Sequence, residues 1–183
     1  MDFKWTIICV VVFFSTIIDS HSQSLDSLDM KIYCSKTSGV SFPATGVGED
    51  FNYKPGNPGY DETYSYKDEK NLIFYQFFLK RIDKQSEWSN KYYLDQVATE
   101  KVKIIGAKFI GKKIYENDGR QIIDYSYEYY VDGVKKTSFT RTAIEGVLYY
   151  SWSVQTYRGY GSFSSKDIFH SFVSYVGDTG NCN

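Results

Sequence analysis

The sequence predicts an α+β domain in which one central and one C-terminal helix pack on an antiparallel β-sheet whose last four strands form a meander. Three observations point there. Apolar and polar residues alternate along much of the chain, the period-2 signature of half-buried strands. Two segments instead repeat apolar residues every three or four positions, as amphipathic helices do. The strand-like runs after the first of these segments are joined by short Gly-containing turns of the kind that close hairpins. Composition agrees, because 18 Tyr, 13 Phe and 3 Trp among 183 residues supply the side chains that favour pleated surfaces.

In chain order, residues 23–30 read as a short polar leader, and Lys31 to Phe42 as two short strands around Ser38-Gly39. From Pro43 to Gly59 the chain is punctuated by proline and glycine, with room for one short strand near Phe51 and Tyr53. Tyr60–Lys67 alternates Tyr60, Glu62, Tyr64 and Tyr66 against Asp61, Thr63 and Ser65. A polar turn at residues 68–71 leads into Leu72–Ile82, where Ile73, Tyr75, Phe77 and Leu79 share a face. Ser89–Ile105 is the central helix, with Tyr93, Leu94, Val97, Ala98 and Val102 at helical spacing, Ser89 or Asn90 as cap and Gly106 as terminator. The meander comprises Lys108–Glu116, Arg120–Val131, Val134–Ile144 and Val147–Thr156, turning at Asp118-Gly119, Asp132-Gly133 and Glu145-Gly146. Ser164 or Ser165 then opens the closing helix, whose stripe is Ile168, Phe169, Phe172, Val173 and Val176, and Gly177 ends it.

The N-terminus predicts export. Trp5 to Ile18 is uncharged and apolar, with Lys4 before it and Asp19 after it. Fourteen helical residues span roughly 21 Å, short of the roughly 30 Å hydrocarbon layer, so the run reads as a signal peptide over residues 1–22. Ser20 and Ser22 would be the small residues before cleavage at Gln23, leaving residues 23–183 as a single domain. Cleavage also removes Cys9, and the two cysteines that remain, Cys34 and Cys182, are expected to form a disulfide in an oxidising compartment. The expected location is periplasmic or secreted, with no membrane span after cleavage. No Asn-x-Ser/Thr sequon occurs, which leans towards a bacterial envelope.

Chemistry is sparse. A formal charge of −1 argues against nucleic-acid binding by charge, and no nucleophile elbow, zinc-protease motif or phosphate loop occurs. His170 is the one histidine after residue 22, and its place between Phe169 and Phe172 reads as the edge of a core. No metal or cofactor is expected. The acidic pairs Glu49-Asp50, Asp61-Glu62 and Asp68-Glu69 read as solvated turn and strand-edge residues, with a glycosidase pair as the alternative. Tyrosines in Gly-containing stretches, Tyr53, Tyr60, Tyr157 and Tyr160, together with Arg158, form the candidate binding surface; folding back to cover the sheet is the other reading of them.

The C-terminal residues carry a resemblance. Arg141 on one strand, a turn, Leu148-Tyr149 on the next, a loop, and a helix containing Phe169-His170-Ser171-Phe172 resemble the closing strand pair and helix of PsbP-like domains. Residues 39–42, GVSF, followed by Pro43, and Gly119 before the second meander strand are similar to that pattern too. The resemblance spans most of residues 31–176 and implies an αβα sandwich, closest to exported bacterial members of that family. It also implies action by partner binding and brings no catalytic residue set. The photosystem role of one branch and the Ran-binding role of another are not expected, because no thylakoid transit features occur and the N-terminus signals export. The functional expectation is therefore an exported, non-enzymatic domain that binds a protein or envelope partner. A secreted sugar-binding module or a hydrolase using acidic residues is the alternative.

Overall fold

Nine strands and two helices account for most of the residues described by a computed structural model, which are 25–45, 52–55, 59–84, 86–157, 163–177 and 179–182. Residues 1–22, Glu49-Asp50, Arg158 and Tyr160 lie outside the described residues. The strands are β1 (Met30–Cys34), β2 (Ser41–Thr45), β3 (Asn52–Pro55), β4 (Glu62–Asp68), β5 (Ile73–Arg81), β6 (Lys108–Asn117), β7 (Arg120–Val131), β8 (Val134–Glu145) and β9 (Leu148–Tyr157). Helix α1 (Glu87–Ile104) lies between β5 and β6, and α2 (Ser165–Phe172) follows β9. Seven strands make one antiparallel sheet in the order β3-β4-β5-β9-β8-β7-β6, and β1 and β2 pair separately as a hairpin.

Hydrophobic residues on both faces of the sheet decide the layers. Ile73, Tyr75, Phe77 and Leu79 of β5 and Tyr150, Trp152 and Val154 of β9 form one core with Phe42, Ile168, Phe169 and Phe172, so the hairpin and α2 cover this face. Phe42 stacks on Phe77 with centroids 4.3 Å apart, and the buried Trp152 indole donates to the Pro43 carbonyl at 2.9 Å. Pro43 therefore sits inside a strand, where the sequence suggested an irregular stretch. Its missing N–H costs nothing there, and its carbonyl is what the tryptophan needs. On the other face Leu94, Ala98 and Val102 of α1 bury against Ile123, Tyr125, Tyr127, Ile144 and Tyr149.

The helix ends follow local chemistry. Ser86, not Ser89 or Asn90, caps α1 by accepting from the Ser89 N–H at 3.3 Å, so the helix starts about a turn before the expected cap. Gly106 takes φ +61°, its N–H bonds Lys103 O, and Ala107 N–H bonds Val102 O, a Schellman closure that only a left-handed residue completes. The meander turns fall where expected, with Asp118-Gly119 and Asp132-Gly133 both at positive φ. Edge strand β6 carries Lys108, Lys112 and Lys113 and a bulge between Phe109 and Gly111, both of which discourage pairing with another chain.

The termini are tied together. Cys34 at the end of β1 is disulfide-bonded to Cys182, with Cα atoms 5.7 Å apart, as expected from the sequence. Arg141 of β8 donates to both oxygens of Asp124 at 2.8 Å, to Tyr115 Oη at 2.5 Å and to the Val173 carbonyl at 2.8 Å, holding the end of α2 on the sheet. Burial, then the bond to Asp124, pushes the Tyr115 hydroxyl up to about 12. Among the described residues no helix is long and apolar enough to cross a membrane.

Candidate functional site

Strand alternation leaves β5 with a second face. Phe74, Gln76, Phe78 and Lys80 point away from the hairpin core, towards the side that carries α1. Helix α1, however, packs mainly on β7 and β6. The strip of sheet over β5 and β9 beside it is therefore left as the floor of a groove of about 500 Å³. Gln76, Phe78, Tyr149 and Ser151 make the floor, and Tyr93, Gln96, Val97 and Glu100 make the helix wall. Lys101, Ile104 and Ile105 line it at the C-terminal end of α1, with Ile104 79% and Ile105 42% exposed. Large aliphatic side chains this exposed, next to a floor that includes Phe78 and Tyr149, mark a surface suited to contact.

Tyr60 enters this groove because the Asp61 N–H bonds the Leu79 carbonyl at 2.9 Å, placing the residue before β4 alongside the end of β5. Its ring lies 4.8 Å from that of Phe78. Lys80, paired across the ladder with Tyr149, sits among the tyrosines: its Nζ is 4.9 Å from the Tyr149 ring centre, 5.4 Å from Tyr93 and 6.0 Å from Tyr60. It also donates to Tyr93 Oη at 2.7 Å. Burial raises the Tyr60 hydroxyl and, more strongly, that of Tyr149, so both stay protonated at neutral pH; Lys80 partly opposes the shift at Tyr60. The groove thus combines apolar area with amide and hydroxyl hydrogen-bonding groups, and the Lys80 ammonium borders it, seated on the rings of three of its lining tyrosines.

The other residues of the candidate surface lie elsewhere. Tyr53 is on edge strand β3, in register with Tyr64, and Tyr157 ends β9 opposite Lys136. Tyr60 flanks the Leu79 end of β5, whereas Tyr157 follows Thr156, which pairs with Ile73 at the other end. The backbone therefore separates Tyr60 and Tyr157 by the length of the strand pair. Lys80 and Phe78 were missed because one buried face satisfies the alternation pattern. Phe74 and Phe78 in the other phase were the available signal of a two-sided strand.

Two of the acidic residues, Glu62 and Asp68, depart from the sequence reading, while Asp61 and Glu69 are exposed as expected. Glu62 and Asp68 are buried, not solvated. The β1–β2 turn supplies the donors for Glu62: Lys36 N–H at 3.0 Å, Thr37 N–H at 2.8 Å, the Thr37 hydroxyl, and Tyr64 Oη at 2.5 Å. Burial alone would raise this carboxyl, but the bonds from Thr37, Tyr64 and Lys36 together hold it below its usual value. Asp68 is likewise lowered, against the effect of burial, by Asn71 and Thr45. Asp61 accepts from the Arg81 N–H at 2.7 Å, and Glu69 is exposed beside Lys67. A more polar hollow of about 560 Å³ adjoins the β4–β5 turn, where Asp68 has these structural bonds already. His170 is exposed on α2, edge-on to Phe169, on the face opposite the groove. Among the described residues no cluster of three His, Cys, Asp or Glu side chains could hold a metal ion.

No family model matches the chain, and no curated protein matches it. Solved structures do. The solution structure of cyanobacterial PsbP from Synechocystis sp. PCC 6803 superposes with a TM-score of 0.59 at 13% identity, over 83% of this chain and 94% of that one. A protein of unknown function from Pseudomonas aeruginosa, a putative regulator by its description, gives a TM-score of 0.42 at 9% identity, over 78% and 89%. The first likeness shows that this chain has a PsbP-like fold.

Proposed function

We propose that the protein is an exported, non-enzymatic domain that binds a partner of the cell envelope through the groove between α1 and the β5–β9 strip. The observation that carries this reading is the apolar groove itself, because an aromatic sheet face is left open there and is flanked by exposed Ile104 and Ile105. Export is supported by the uncharged run from Trp5 to Ile18 and by the Cys34–Cys182 bridge, a bond that persists in oxidising compartments. The exported bacterial branch of the PsbP-like family is the best home for such a chain. The hydrolase alternative has less behind it. A glycosidase acid needs a raised carboxyl, and the two buried carboxylates are held low by structural donors.

Two measurements test the proposal. Intact mass of the protein from its producing cell should match residues 23–183 less two hydrogens, and a full-length mass with free thiols would remove the export claim. The wild-type protein and an Ile104→Asp/Ile105→Asp variant, immobilised and exposed to the envelope fraction, should differ. The reading expects a component retained by the former and lost from the latter. Equal retention by both would place the contact elsewhere.

A further inference from the structure

We infer that the groove takes a single apolar chain ending in an anionic headgroup, with the head at Lys80 and the apolar part running towards Ile104 and Ile105. This rests on the binding reading above and names the chemistry of its ligand. Lys31, Lys67, Lys112 and Lys135 each have a carboxylate within ion-pair distance. Lys80, like most of the other described lysines, has no such carboxylate among the described residues, and its aromatic seat is what sets it apart. It is half-buried among three of the groove's own tyrosines and gives one hydrogen bond, to Tyr93 Oη. An ammonium group has three donors, so the charge and two donors remain for an external acceptor. Ring faces hold the cation in place without neutralising it, and they exclude part of the water that would otherwise screen it.

The groove is asymmetric in the same sense. Its far end carries one cation and one carboxylate, Lys101 and Glu100, next to Ile104 and Ile105, with the Lys101 ammonium over the Tyr125 and Tyr127 rings. The net positive end is therefore the Lys80 end, and the apolar end is the other. From Tyr93 to Ile104 the helix wall extends about 16 Å at 1.5 Å per residue, which suits an extended chain. A volume of about 500 Å³ lies within the range of small-ligand sites. On the floor, Ser151 lies opposite Phe78, two residues along β5 from Lys80, and adds a hydroxyl on the side of the head, whereas Gln76 lies four residues from Lys80. A long-chain carboxylate meets all these conditions.

Calorimetric titration of the purified protein with palmitate and with 1-hexadecanol, which share the tail, tests the inference. Palmitate should bind about tenfold more tightly than the alcohol, the scale of one charge-assisted hydrogen bond. Lys80→Gln should remove that difference by weakening palmitate alone, and Lys80→Arg should largely keep it. A variant that merely disturbed the tyrosines would weaken both ligands, so the alcohol reports on folding. Equal binding of the two ligands by the wild-type protein, or an unchanged ratio in Lys80→Gln, would overturn the headgroup assignment. The groove reading would survive that result if Ile104→Asp/Ile105→Asp still weakened both ligands. Binding of neither ligand would overturn the inference outright, while envelope capture would still judge the groove.

Discussion

Breaking the Cys34–Cys182 bridge should lower stability by an amount that its topology fixes. The bond closes a loop of 148 residues. In the chain-entropy treatment a loop of that length restricts the denatured state by about 5 kcal/mol at 25 °C, an upper figure because a real denatured chain is already partly compact. A domain of this size loses about 2–4 °C in Tm per kcal/mol, so Cys34→Ser or Cys182→Ser should melt about 10–20 °C below the oxidised wild type. The assay is thermal denaturation followed by circular dichroism, with and without reductant. The two single variants should agree, because each opens the same loop, and reductant should bring the wild type down to their level without moving them. A variant melting within about 2 °C of the oxidised wild type would show that closing this loop does not set the stability, since that is less than a 1 kcal/mol effect. A large gap between the two variants would show that local packing around one cysteine, not loop closure, sets the effect.

The other predictions concern the supports of the fold. Arg141→Met should destabilise by about 3–5 kcal/mol in urea denaturation, because it leaves the half-buried Asp124 carboxylate without its cationic partner, with Tyr115 as its remaining side-chain donor, and frees the Val173 carbonyl. Gly177→Ala should cost about 1–3 kcal/mol, since Gly177 has φ +87° and an added Cβ would overlap Tyr150 Oη; Tyr150→Phe in the same chain should recover part of it. Acid should unfold the protein through Glu62 and Asp68. Both carboxyls are lowered in the folded state, so their contribution is complete above the unfolded values of about 4 and is lost as pH falls through the folded ones. A melting temperature that stays flat from pH 6 to pH 2 would contradict this, and Glu62→Gln should flatten the slope in part.

Much of this structure was legible because its strands and turns obey local rules. The meander from Lys108 to Tyr157 follows from alternation and Asp-Gly turns, since a tight turn requires positive φ whatever surrounds it. The closing helix was readable from Ile168, Phe169 and Phe172, all of which are buried. Long-range contacts were not readable in this way. That β1 and β2 form a separate hairpin over the sheet depends on Trp152 reaching the Pro43 carbonyl, 109 residues away. Glu62 reads as a solvated acid because nothing local announces that the turn at Lys36 and Thr37 will deliver its N–H groups to it. The groove was half legible. Tyr60 stood out as a loop aromatic, whereas Lys80 acquires its meaning only when Tyr60, Tyr93 and Tyr149 converge from three separate segments.

Site-specific crosslinking in the producing cell tests the groove most directly. A photoreactive residue at exposed Gln96, on the groove wall, should capture a partner, and one at exposed Lys166, on α2 across the sheet, should not. Adducts from position 166 with none from position 96 would contradict the account and move the contact surface to the opposite face.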